Sequence, residues 1–72
     1  MSSKHSEQLV KMINQIAANT PVQGGGPDAA AEAVAAHVRR FWAKPMRADI
    51  RAYLQDGGAG LTELAVEAIK RL

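Results

Sequence analysis

Few side chains in this 72-residue chain have types suited to chemistry: His5, His37, Asp49, Asp56, the run Gly24-Gly25-Gly26, and a dense set of cations between Arg39 and Arg51. A metal site needs three or four ligands. The two histidines are 32 residues apart, and at helical spacing His37 has Ala30, Ala33 and Phe41 for neighbours, none of them a ligand. His37 therefore reads as a boundary residue packed beside Phe41. There is no cysteine, which excludes disulfides and thiolate metal sites and suits a reducing compartment. Asp49 and Asp56 would share a helix flank two turns apart, where no desolvated pocket raises a carboxyl pKa for acid–base work. Three glycines before a helix suggest a phosphate cradle, but the preceding strand and the Gly-Lys-Ser/Thr ending of a P-loop are both missing. No constellation for catalysis emerges, and the chain is not expected to be an enzyme.

The cations are more informative. Arg39, Arg40, Lys44, Arg47 and Arg51 are five of the nine Lys and Arg residues, and Asp49 is the one acid among them. The same stretch holds the only Phe and the only Trp, at positions 41 and 42. Arg47 and Arg51 are like charges at i, i+4, which repel by a few tenths of a kcal/mol on an isolated helix. No acid lies four residues from Arg47 on either side, and Gln55, four beyond Arg51, is neutral. A solvated face is the common meaning of such charges. Beside a Trp, whose enrichment with Arg marks interfaces, an anionic partner is the competing meaning. The candidate partner-binding residues are Arg40, Trp42, Lys44, Met46, Arg47 and Arg51.

These side chains must be positioned by helices. Leu9, Met12, Ile13 and Ile16 follow the i, i+3, i+4, i+7 pattern of one face, widened by Val10 and Ala17. Ser6 reads as an N-cap after a frayed segment 1–5, giving a first helix near 6–19. Asn14 falls at the edge of this stripe beside Val10, where its amide can bridge to a neighbouring element. Residues 20–26, rich in glycine, with Pro21 near the start and Pro27 just beyond the end, read as a flexible loop. A second helix, near 27–43, carries Ala31, Val34, Ala35, Val38, Phe41 and Trp42 as one stripe. Pro45 divides it from a third, near 45–56, with Met46, Ile50, Tyr53 and Leu54 inward. Gly57 suits the left-handed residue that ends that helix, and Thr62 suits the N-cap of a fourth near 62–71. Leu64, Ala65, Ala68, Ile69 and Leu72 form its stripe. The fold expected is all-α, a small four-helix bundle-like domain spanning 1–72. Leu9, Ile13, Ile16, Val34, Val38, Phe41, Ile50, Leu54, Leu64 and Ile69 are its expected core.

Composition bounds what such a domain can do. A chain this short buries only about 60% of its unfolded surface, so association with itself or a partner is a route to extra stability. Fourteen of the apolar residues are alanines, good helix formers and poor core fillers. A net charge of +2 does not by itself imply nucleic acid. No apolar run approaches the roughly 20 residues of a membrane span, and the N-terminus lacks the apolar core of a signal peptide. A cytoplasmic location is expected.

Three blocks resemble a known family: Leu9-Val10-Lys11-Met12-Ile13-Asn14-Gln15-Ile16-Ala17, then His37-Val38-Arg39-Arg40-Phe41-Trp42 with Met46-Arg47, then Gly57-Gly58-Ala59-Gly60-Leu61 with Leu64, Ala68, Ile69 and Leu72. In order and spacing these are similar to the delta subunit of the cytoplasmic, NAD-dependent, molybdenum-containing formate dehydrogenases. The resemblance implies a non-catalytic accessory subunit that docks on the large catalytic subunit and supports its assembly or cofactor-loaded state. It implies that this chain binds no cofactor itself, the molybdenum bis-molybdopterin guanine dinucleotide, iron–sulfur clusters, FMN and NAD belonging to the larger subunits. In one respect the chain departs from the family pattern: Ala43-Lys44-Pro45 stands where an Asp-Pro pair and a basic residue usually follow the Trp. The Asp that would cap the third helix is absent.

Two other classes of function remain. A small basic helical protein could bind nucleic acid, but the third helix starts with Pro45 and Met46 and carries Asp49 and Asp56, which repel phosphate and disfavour a recognition helix. A self-associating helical module, with a homodimer in isolation, is the other.

Overall fold

A computed structural model describes residues 4–21 and 25–72. It contains four helices: α1 (Lys4–Ala18), α2 (Gly26–Phe41), α3 (Lys44–Gln55) and α4 (Glu63–Lys70). Among the described residues there is no strand. Each end lies within two residues of the boundary that periodicity predicts. At the N-terminus the reason for a difference is visible. α1 begins at Lys4, so Ser6 lies inside the helix and is not its cap; of the expected frayed segment, Lys4 and His5 are helical and residues 1–3 fall outside the described residues. The His5 Nε2 atom lies 2.8 Å from Asp49 Oδ2, tying the first turn of α1 to α3. Of the expected flexible loop, residues 22–24 fall outside the described residues.

The helix ends follow from local chemistry. Thr20 closes α1, its hydroxyl donating to the Ile16 carbonyl at 2.8 Å. α2 opens with Pro27 in its first turn and Asp28 beside the positive end of the dipole. α3 stops in a Schellman arrangement: Gly58 N–H donates to the Tyr53 carbonyl at 3.0 Å and Gly57 N–H to that of Leu54 at 3.1 Å. Both glycines have positive φ, 119° and 64°, and a Cβ on Gly58 would come within 2.9 Å of Leu54 Cδ1. Thr62 caps α4, its Oγ1 accepting from Ala65 N–H at 3.2 Å.

Helix α1 touches each of the other three, and α2 packs chiefly on α4. Ile13, Val34, Val38 and Ile50 are fully buried at the centre, with Leu9, Val10, Trp42 and Ile69 around them. Alanines 30, 31, 35, 65 and 68 are also buried, so α2 and α4 meet through small residues. Ile16, Leu54 and Leu64 are half-buried and pack against this cluster, as do Met46, Tyr53, Leu61 and Leu72.

Phe41 departs from the expected core: it is 65% exposed. Phe41 and Trp42 lie three and four residues beyond Val38, at the last turn of α2, where the apolar stripe has room for one large ring. Trp42 takes it. As the C-cap residue it turns to an extended backbone, φ −92° and ψ 139°, and is 6% exposed. Phe41 is left outside, its ring 4.7 Å from that of His37.

Asn14 does what its place on the stripe edge suggests. Its Nδ2 donates to the Gly60 carbonyl at 2.8 Å, and its Oδ1 accepts from Thr62 N–H at 3.1 Å. One amide thus fixes the α3–α4 connection onto α1. Tyr53 holds the same connection from the other helix, its hydroxyl donating to the Ala59 carbonyl at 2.7 Å.

Candidate partner interface

The cations concentrated between Arg39 and Arg51 do not stay together in three dimensions. Arg39, in the last turn of α2, is absorbed into the fold. It pairs with Glu32 two turns back and donates to the Arg71 carbonyl at 3.0 Å. Arg71 in turn lies 3.3 Å from Asp28 and 3.7 Å from Glu32. Two arginines and two acids therefore interlock along the α2–α4 seam. Arg40 points elsewhere, its guanidinium carbon 5.5 Å from the centroid of the Phe41 ring, in cation–π range.

Lys44, Arg47 and Arg51 lie along α3 and line a groove of about 490 Å³ with Pro45, Ala48 and Leu72. No carboxylate among the described residues lies within ion-pair distance of any of the three. Asp49, the acid nearest in sequence, is paired with His5 instead. The N-terminus of α3 adds the positive end of a helix dipole. Its N-cap, Ala43, offers no side chain to the first amides. Arg47 is half-buried, and its Nε is a fully buried polar atom with no hydrogen-bond partner. Leaving such a donor unpaired costs roughly 1–3 kcal/mol. The groove is thus a positively charged surface whose cations have no carboxylate among the described residues.

Trp42 and Met46 belong to a different concavity. This one measures about 940 Å³ and runs between α1 and the C-terminal half of α2, with Met12, Ile16 and Phe41 also in its lining. It shares no residue with the basic groove. The six residues singled out from the sequence therefore divide. Lys44, Arg47 and Arg51 fall on the basic groove, Trp42 and Met46 on the apolar one, and Arg40 beside Phe41. Trp42 is too buried to offer more than an edge. Of the two aromatics in the stripe, Phe41 is the one on the surface.

Among the described residues, no three His, Asp or Glu side chains are grouped to hold a metal ion. No helix among the described residues is long and apolar enough to cross a membrane. A family model described as the NADH-dependent formate dehydrogenase delta subunit, FdsD, matches residues 8–69. The chain belongs to this family. The match begins inside α1 and runs to Ile69 in α4, so it takes in all four helices and every residue of both grooves except Lys4, Glu7 and Leu72. Comparisons with curated proteins and with solved structures return no match. The delta-subunit family makes the chain a component of a formate dehydrogenase complex, which implies a catalytic-subunit partner.

Proposed function

We propose that this delta subunit is a non-catalytic accessory that docks on the large catalytic subunit of an NADH-dependent formate dehydrogenase and supports its assembly or its cofactor-loaded active state. The observation that carries the docking reading is the α3 groove, where Lys44, Arg47 and Arg51 stand without a carboxylate among the described residues. Three uncompensated cations oppose folding slightly and favour a complementary surface that brings acids. In this reading the molybdenum cofactor, iron–sulfur clusters, FMN and NAD reside on the larger subunits. The chain has no cysteine with which to hold an iron–sulfur cluster. The complex works in the cytoplasm.

The experiment is the Arg47→Glu, Arg51→Glu double variant, measured by thermal unfolding alone and by pull-down with the large subunit. Normal folding with lost association supports the proposal. An unchanged pull-down would return these arginines to a solvated face, and collapsed helicity would make them structural.

A further inference from the structure

The apolar concavity between α1 and α2 is not explained by the basic groove or by the packing of the four helices. Its floor is Trp42 with half-buried Ile16 and Met46, and its sides carry the two large apolar side chains exposed among the described residues, Met12 at 36% and Phe41 at 65%. Single exposed apolar residues are ordinary, but a contiguous set around one depression marks an interaction surface. Phe41 is also held in place. His37 packs at 4.7 Å from its ring and the Arg40 guanidinium sits at 5.5 Å. A fixed exposed aromatic loses little freedom on binding, which is what an anchor residue requires. The methionines supply an adaptable contact on either side.

We infer that this groove receives an amphipathic helix from a larger subunit, apolar on its inner face and acidic on its flanks. The inference rests on the docking role proposed above and adds a second contact, separate from the basic groove. Three features choose this occupant. The α1 wall runs from Lys4 to Ile16, twelve residue steps or about 18 Å, a little over three helical turns. At the Met12–Ile16 end of that wall, Phe41, Trp42 and Met46 complete an apolar bed for the inner-face side chains of a helix, while Lys4, Glu7, Gln8, Lys11 and Gln15 leave the rest of the wall polar. The rim is cationic: Lys4 and Lys11 lie on α1 and Arg40 beside Phe41, against the single acid Glu7, which already has a contact within the chain. Carboxylates flanking the incoming helix would meet those cations, whereas a second copy of this chain would set the same cations against each other.

The test places the photo-crosslinking residue p-benzoylphenylalanine at position 41 in the chain co-expressed with the other formate dehydrogenase subunits, and identifies the linked peptide by mass. The expected product is one segment of a larger subunit with helical spacing of apolar residues and more Asp and Glu than Lys and Arg. Linkage to a second copy, to a segment without that pattern, or to nothing while the complex still co-purifies overturns the inference. Phe41→Ser gives a second measurement. Because this side chain is outside the core, the melting temperature should hold while affinity for the larger subunits falls roughly tenfold or more. Equal affinity overturns the groove but leaves docking intact. Failure of the unsubstituted chain to co-purify would instead bring down the docking role, and this inference with it.

Discussion

Arg39 and Arg71 on the α2–α4 seam and Arg47 and Arg51 on α3 have the same side-chain chemistry in opposite circumstances. The seam arginines meet Asp28 and Glu32, which α2 supplies from its own first two turns, and Arg39 also satisfies the Arg71 carbonyl at the end of α4. The α3 arginines meet no acid and repel one another across one turn. Helix register accounts for the difference. Glu32 and Arg39 are seven residues apart and therefore share a face, whereas α3 places a neutral residue four positions before Arg47 and four after Arg51. Charge that a fold can neutralise from its own sequence contributes to the fold. Charge left over on α3 is, in the proposed reading, available to a partner outside it.

The largest effect should appear in association. If Arg47 and Arg51 pair with carboxylates of the large subunit, losing one desolvated partner should cost about 2–5 kcal/mol of binding, more than tenfold in affinity per residue. In the isolated chain, removing exposed Arg51 should change stability by only a few tenths of a kcal/mol, and removing Arg47 should not destabilise it, since a like charge and a buried donor without a partner are lost together. Titration calorimetry against the large subunit, beside thermal melts of the free chain, reads both quantities. Comparable losses in the two assays would mean that the α3 arginines are structural like those of the seam.

A gain of stability is expected at the start of the same helix. Ala43 has the extended backbone of an N-cap, φ −67° and ψ 153°, and no side-chain oxygen for the first amides of α3. Ala43→Asp supplies one and should stabilise the chain by about 1 kcal/mol. It also sets a carboxylate four residues before Arg47, so the groove becomes less positive and association should weaken as the melting temperature rises. A melt that does not rise would mean that Pro45 and the fixed corner already hold this end without a cap.

The helices were legible because their stripes and stop signals are strong. Pro45, Gly57 and Thr62 each act where their chemistry requires. Asn14 was legible for a related reason, since an amide at the edge of an apolar face must find partners as the helix packs, and it finds Gly60 and Thr62. Phe41 was not legible. Periodicity gives a direction around an axis, and at a final turn two adjacent aromatics both point near the core. Which one enters depends on where the helix unwinds. The division of the basic stretch was hidden for another reason: Arg39 finds the Arg71 carbonyl 32 positions away in the chain, a partner that local spacing cannot show. Sequence proximity placed Trp42 and Arg47 in one candidate site, and the corner between α2 and α3 turned them onto different grooves.

The smallest effect is the most direct measure of the contrast. Double-mutant cycles report the coupling of each charged pair free of what the single changes do elsewhere. For Arg39 and Glu32, both partly exposed, the variants Arg39→Ala, Glu32→Gln and their combination should give a favourable coupling of about 0.2–1 kcal/mol. For Arg47 and Arg51, replaced by Gln singly and together, the coupling should have the opposite sign and amount to roughly 0.2–0.5 kcal/mol, because each removal relieves the other. At 1 M salt the screening length falls to about 3 Å, and both couplings should shrink toward zero from opposite sides. Chemical denaturation of the unsubstituted chain and the three variants in each cycle, with urea so that ionic strength is set by added salt alone, measures this. A favourable coupling between Arg47 and Arg51 would show an anion already shared between them in the free chain, and the α3 groove would then need no outside partner to complete it.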